Sequence, residues 1–424
     1  MTPTTFTDTN VSFNTMLKEY LPYDLLREEL TKRDYFLSKV EFDTNWKGGE
    51  LRIPFKGGCA SSVAYGELTN ESEITEDLYV KATISEYKEV WGSMIFNDHD
   101  LQRHGDLKTS FIKLLPDTVD EFVQMMKECV SINLLNGSHL VSLDPLNADS
   151  DLANGIVVVD RPARLSLGQY LEFGVVGTKR AEGYIAAIDM NKSTIFIKDN
   201  IDISAGALVD LSPTGGNLLP GDKGYIRGAI ITGRGFTSFR DQNLSADAGG
   251  PATLFGLTKT DYPHLQAYNF DGSGIDSSNI LEKIFDAWNE TRTIGKGMPT
   301  EVIMSFRNLG NVMKALEVAR EYTTTDTKAS VYGWTEIDVV GVRGSLKLVG
   351  VQEMDDDIMH IVDWKSVKMH TNGLFERRVN PDGDSFYEIR SASGYKYVVD
   401  TRMYGELVVN KPSHNGIIYN ISYP

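Results

Sequence analysis

The sequence predicts an α+β protein of more than one domain, and three observations carry that reading. A long amphipathic stretch at 116–137, PDTVDEFVQMMKECVSINLLNG, has the spacing of one uninterrupted helix. A stretch from about 155 to 231 is rich in strand patterns separated by Gly and Pro turns. Beyond 277 the two patterns alternate, which indicates a mixed α/β unit. At 424 residues the chain is too long for one compact core.

Taken in order, residues 1–15 are polar, with Phe6 and Phe13 their only large apolar groups, and read as an extended arm. Met16 to Ser38 has helical spacing, with Pro22 as a break or restart. Two strand patterns follow, Glu50 to Lys56 and Tyr79 to Met94, joined by a polar, acidic tip. Such a hairpin has too little apolar surface to fold alone and is expected to lie on another surface. In the long helix Asp117 can cap the start and Asn136-Gly137 the end. Phe122, Met126, Cys129 and Val130 share one stripe, with Gln124, Lys127 and Glu128 facing outward.

After that helix, GIVVVD, YLEFGVV, EGYIAAID, TIFIKD and ALVDL are strand candidates, with MNKS as a hairpin turn, and suggest a small β-barrel or β-sandwich. Residues 232–276 read as a long irregular connection that keeps Phe236, Phe239, Leu254, Phe255 and Tyr268 for packing. Ser278 is placed to cap a helix carrying Ile280, Ile284 and Trp288; EVIMS reads as a buried strand, and Asn308 as the start of a second helix. EIDVVGV, LKLVGVQ and DIMHIVDW continue as strands, and ELVVN and GIIYNI are expected to return to a sheet.

The composition narrows the function. With 24% charged and 41% hydrophobic residues, the chain is globular in type, and no apolar run is long enough to cross a bilayer. The first residues lack a signal peptide, so synthesis in a cytoplasm is expected, and two cysteines, Cys59 and Cys129, suit a reducing compartment. A net charge of −17 opposes tight binding to nucleic acid or to an anionic membrane, though not the enclosure of nucleic acid.

No motif assembles an active site. Gly295-Lys296-Gly297 resembles the end of a phosphate loop but lacks the Ser or Thr for magnesium, and Gly233-Arg234-Gly235 lacks the third glycine of a dinucleotide fingerprint; both read as turns. Ser273 lacks a nucleophile elbow, and Asp355-Asp356-Asp357 reads as a solvated turn. The seven histidines are scattered; His99 and His104 are neighbours without a third ligand. No cofactor, metal or catalytic residue is expected.

The parts and their order carry a resemblance. They include RIPFKGG at 52–58, ATISEYKEVWGSM at 82–94, the helix from Asp117, and MPTEVIMSFRNLGNVMKAL at 298–316. Together they resemble the major capsid proteins of tailed bacteriophages, the family with the Hong Kong 97-type fold. The resemblance implies an N-terminal arm and helix at 1–45, an extended hairpin loop at 46–98, and a peripheral domain with the spine helix at 99–154. It further implies an axial α/β domain at 277–400 and returning strands at 401–424; the inserted β-barrel domain at 155–231 departs from the minimal family fold, and it and the connection at 232–276 are read from the residues themselves.

The implied function is self-assembly, as pentamers and hexamers, into an icosahedral head shell around double-stranded DNA, located in the virion after synthesis in the host cytoplasm. Scaffolding, portal and decoration proteins are the implied partners, with no membrane. A nanocompartment shell of the encapsulin type and a ligand-binding β-rich protein are the alternatives. Candidate intersubunit contacts are Phe6, Phe13, Phe55, Tyr65, Tyr87, Trp91, Tyr322 and Trp334. Phe55, Tyr65, Tyr87 and Trp91 either cover a neighbour or pack under their own hairpin.

Overall fold

The computed structural model describes residues 34–44, 46, 49–56, 79–84, 88–97, 122, 124–126, 128–200, 207–212, 218–231, 235–319, 336–341, 344–377, 387–391 and 394–422. In chain order the first elements are α1 (Tyr35–Lys39), β1 (Glu41–Asp43), β2 (Leu51–Lys56), β3 (Tyr79–Ile84) and β4 (Lys88–Asn97). Helix α2 follows, described at 122, 124–126 and 128–136. Then come β5 (His139–Asp144), β6 (Ile156–Val159), β7 (Tyr170–Val175), β8 (Thr178–Asp189), β9 (Thr194–Lys198) and β10 (Lys223–Ile226). The third group is α3 (Phe239–Asn243), β11 (Thr253–Leu254), β12 (Leu257–Thr258), β13 (Tyr268–Asp271), α4 (Ile280–Ile294), β14 (Glu301–Met304) and α5 (Phe306–Ala319). The last strands are β15 (Glu336–Gly341), β16 (Gly344–Gly350), β17 (Met359–Val362), β18 (Val367–Arg377), β19 (Tyr387–Ser391), β20 (Gly394–Val409) and β21 (Gly416–Tyr419).

Helix α2 is where two cores meet. Phe122, Met126, Val130, Leu134 and Leu135 enter the central core, while Ile132 and the half-buried Cys129 enter the core of a barrel. Gln124 and Met125 are exposed in the first half, but every residue from Val130 to Gly137 is buried. The single stripe expected from the spacing therefore widens into all-round burial where elements close on the helix from both sides. Gly137 ends it at φ +124°, a conformation that only glycine adopts at little cost.

Directly after this stop, β5 opens a closed antiparallel barrel in the order β10-β5-β6-β9-β8-β7, with β10 pairing β7. Val157, Leu171, Phe173, Ile185, Ile195 and Ile197 fill it. The ALVDL segment is not one of its strands. Val209 donates to the Ile197 carbonyl at 3.1 Å and Leu208 makes one isolated bridge, while Leu211 is buried in the barrel core.

The stretch expected as one strand from Tyr79 to Met94 is two strands in different sheets. Among the described strands β3 pairs with β2 alone, whereas β4 runs ten residues along β20. On β4, a Cβ at Gly92 would lie 2.6 Å from Met126 Sδ and 2.8 Å from the Phe122 ring, so the bare backbone lets α2 seat on this strand. The resulting five-stranded sheet is β1-β18-β20-β19, with β4 on the opposite edge of β20.

A six-stranded mixed sheet, β13-β21-β17-β14-β16-β15, forms the last layer. Its strand alternation splits two cores. Val302 and Met304 face α4 and α5, with Ile284, Trp288, Leu309 and Val312, while Ile303 faces the central core. Of the expected tail strands, GIIY is β21 in this sheet, but ELVV is the end of the long β20 in the other one.

Three smaller expectations are corrected. Ser278 does not cap α4; it donates to Asp276 Oδ1, and Asn279 takes the cap position. Helix α5 starts at Phe306, and Asn308 is buried, its amide donating to the Asp356 carbonyl at 3.1 Å. In the connection before β13, α3 and the β11–β12 hairpin appear, with Lys259 buried and donating to the Asp241 and Leu244 carbonyls at 2.6 Å. Of the region from Met16 to Ser38, residues 35–38 are described as helix, the start of α1, and the arm lies outside the described residues.

Candidate functional site

The motifs singled out in the sequence do not come together among the described residues. Among the described residues no three His, Cys, Asp or Glu side chains are grouped as metal ligands. Its desolvating surroundings, with the Glu128 charge beside it, push the Cys129 thiol up to about 12, which favours the neutral thiol. Ser273 donates to Asp271, and Gly295-Lys296-Gly297 is a turn packed on the backbone at Ser413 and His414. His99 and His104 lie outside the described residues. No helix among those residues is long and apolar enough to cross a membrane.

The acidic run 355–357 is the most consequential correction, because it is a joint and not a solvated turn. Asp355 is 8% exposed and sits 2.9 Å from Arg164 Nη1, with His139 Nε2 at 3.6 Å and Arg161 Nη1 at 3.8 Å. Arg164, also 8% exposed, donates to the Leu140 carbonyl at 3.1 Å and the Glu353 carbonyl at 2.8 Å. Asp356 pairs with Arg161 at 3.1 Å and Asp357 with Arg240 at 3.3 Å. Asn136, at the end of α2, accepts from the Asp355 N–H at 3.2 Å.

One loop thus ties the barrel, α2 and α3 to the six-stranded sheet. Burial would raise the Asp355 carboxyl, but the His139 bond and the Arg164 and Arg161 charges outweigh it and hold it well below the usual carboxylate range. Consecutive carboxylates can all be used because the chain bends there instead of running as a strand.

A second buried carboxylate has the opposite balance. Glu406 on β20 is fully buried; Oε1 accepts from the Thr237 N–H at 2.7 Å and Oε2 has no hydrogen-bond partner. Burial pushes its pKa up to about 7. Being raised, it contributes stability that is complete below the unfolded value near 4.5 and is lost as pH rises through 7. Glu406→Gln is therefore expected to stabilise the fold at pH 8 by about 3 kcal/mol and to give no gain at pH 4.5, read by urea unfolding at both values. An equal effect at both would rule out the ionisation as cause.

The candidate contact residues separate as follows. Phe55 is 1% exposed, facing Phe255 at a 6.5 Å centroid distance in a satellite core with Trp46, Ile53, Ala82, Ile84, Leu254 and Val408. Its ring is inside its own chain. Trp91 is 62% exposed, on the face of β4 opposite Gly92 and α2, in register with Arg402. Phe6, Phe13, Tyr65, Tyr87, Tyr322 and Trp334 lie outside the described residues. The structure therefore brings none of the eight together at one described site. The joint was missed because its signal is pairwise: Arg161 and Arg164 precede their acids by about 190 positions.

The hairpin β2–β3 is a two-stranded sheet that joins no other among the described strands. Ile53, Phe55, Ala82 and Ile84 bury one face, and Arg52, Pro54, Lys81 and Thr83 are exposed on the other. Both of its edges present backbone groups without a neighbouring described strand.

No family model matches the sequence, and no curated protein matches it. Similar solved structures include phage capsids, a virus-like particle from Pyrococcus furiosus and the SrpI encapsulin complex of Synechococcus elongatus PCC 7942. The capsid asymmetric unit of cyanophage A-1(L) is 10% identical, covering 91% of each chain with a TM-score of 0.49. The capsid of a native GTA particle is 8% identical over 91% of this chain and 90% of that one, with a TM-score of 0.44. The procapsid of satellite phage P4, which includes the size determination protein, is 12% identical over 94% and 99%, with a TM-score of 0.40.

Proposed function

We propose that this chain is the major subunit of a tailed-phage head, a structural protein that assembles with copies of itself into a closed icosahedral shell around double-stranded DNA. The observation that carries the proposal is the satellite hairpin. A two-stranded sheet is marginally stable alone, and the described part of this one rests by one face on Leu254, Leu265 and Val408. Its open edges and solvent face, with exposed Trp91 on the adjoining strand, are surface that a neighbouring copy can cover.

In this reading the barrel is an insertion between α2 and α3, held at a fixed angle by the Asp355 joint. The shell forms from pentamers and hexamers in which modest contacts add up through closure. A charge of −17 suits a wall past which packaged DNA moves without adhering. Scaffolding, portal and decoration proteins are the partners, no cofactor takes part, and the virion is the location, after synthesis in the host cytoplasm.

Deleting Thr69 to Asp77, the hairpin tip, tests the proposal. The expected result is a folded subunit, unchanged in circular dichroism, that no longer yields closed particles by electron microscopy. Particles of normal size and yield would remove the hairpin from assembly.

A further inference from the structure

His139 opens β5 at the barrel joint, and its Nε2 stands between two partners that require opposite roles of it. Lys223 Nζ lies 3.3 Å away and Asp355 Oδ2 lies 3.6 Å away. An ammonium has donors and no acceptor, so toward Lys223 the ring nitrogen accepts, and the ring is neutral with its N–H on Nδ1. A carboxylate accepts, so toward Asp355 the same nitrogen has to carry a proton. One nitrogen cannot do both at once. A proton on the ring therefore chooses the partner, and histidine is the residue type whose charge ordinarily changes between about pH 5 and 8.

The two partners lie on different parts of the fold. Lys223 opens β10, which pairs with β5 in the barrel wall, so the bond to it stays inside the barrel. Asp355 belongs to the loop that ties the barrel to the six-stranded sheet. His139 and Asp355 are each 8% exposed, so water and salt screen the exchange little. Asp355 Oδ1 holds Arg164 at 2.9 Å, whereas Oδ2 has Arg240 Nη1 at 4.0 Å besides the histidine, which places Oδ2 to take a ring N–H.

The described charged groups around the ring come from four elements. They are Lys223 on β10, Asp160, Arg161 and Arg164 after β6, Arg240 and Asp241 on α3, and Asp355, Asp356 and Asp357 in the loop; Tyr225 sets its ring edge-on to the imidazole at 6.5 Å. Two cations 3.3 Å apart share no hydrogen bond and repel, so a charged ring expels the Lys223 ammonium. Asp355, Asp357 and Asp241 lie in electrostatic reach of Lys223 and offset Arg240, so the displaced charge keeps acidic neighbours. We propose that His139 is a proton-operated switch in the barrel joint: neutral, it holds Lys223 within the barrel wall; protonated, it donates to Asp355 and releases Lys223. Acid thereby exchanges a bond inside the barrel for one across the joint. One chain contains every group involved, so the inference does not depend on shell formation.

Urea unfolding of the full chain at pH 8 and pH 5 tests the switch in two backgrounds, the parent and His139→Gln. A glutamine amide accepts from Lys223 and donates to Asp355 at once and takes up no proton, so it keeps both contacts at either pH. Every other titrating group is common to the two backgrounds and cancels. At pH 8, Lys223→Met is expected to lower the folding constant equally in both. At pH 5 it is expected to cost the parent about fivefold less, because the protonated ring has already given up Lys223. Asp355→Asn is the mirror: it should cost the parent about fivefold more than the glutamine background at pH 5, and less than that background at pH 8. Equal costs of Lys223→Met in the two backgrounds at pH 5 would overturn the proposal, and so would equal costs of Asp355→Asn in them at both pH values. Lys223→Met decides alone if Asp355→Asn does not fold.

Discussion

Asp355→Ala is expected to destabilise the chain by about 3–5 kcal/mol, the cost of removing one partner from a buried ion pair. The substitution leaves Arg164 buried without its bonded carboxylate, held by the Leu140 and Glu353 carbonyls and with Asp160 in electrostatic reach. It also frees His139 and one contact of Arg161. Removing both charges with Asp355→Leu and Arg164→Met should cost less than Asp355→Ala alone, because the expense lies in the orphaned ion and not in the missing attraction. Urea unfolding of the two variants checks the ordering. Equal stability of Asp355→Ala and the parent would mean that the joint does not hold the barrel.

The second large effect is acid sensitivity centred on His360. This residue is fully buried on β17, with Nε2 3.2 Å from the Leu135 carbonyl and the ring edge-on to Phe239 at 4.9 Å. The bond to a carbonyl requires the N–H on Nε2, and burial is the main cause that pushes the pKa down to about 3. A depressed value gives stability that is complete above the unfolded 6.5 and is lost as pH falls through 3, amounting to about 4–5 kcal/mol.

Between pH 6.5 and 5 the loss from this group is about 2 kcal/mol. Glu406 runs the other way over the same range, so the wild-type slope understates the histidine. Comparing wild type with His360→Gln at each pH cancels the glutamate, and the difference isolates His360. A variant whose stability falls with acid as steeply as the parent would show that His360 is not the group that resists protonation.

How much of this was legible in the sequence depends on the range of the signal. The α2 stop at Asn136-Gly137, the barrel strands with clean alternation, and the buried EVIM strand follow from local spacing, and the structure has them. The split of the 79–94 stretch was hidden because the partners of its two halves are remote in sequence: β3 pairs with β2, while β4 pairs with β20 about 300 positions later. Strand β5 was overlooked because it follows the helix with no turn signal beyond its stop. The Asp355 joint looked solvated because an acidic run without its arginines is indistinguishable from a surface turn. Of the candidate contacts, Trp91 and Phe55 read alike in an alternating strand. Only the surroundings separate a ring that is 62% exposed from one that is 1% exposed.

The central claim is that this chain builds a shell, and the most direct measurement is the particle mass in solution. It is taken with negative-stain microscopy, on the full chain expressed alone and together with a scaffolding protein. The account predicts closed shells, or rings of five or six subunits, in at least one of these conditions. A monodisperse monomer in both, with the fold intact, would contradict it, because the open hairpin and exposed Trp91 would then be stable without a neighbour.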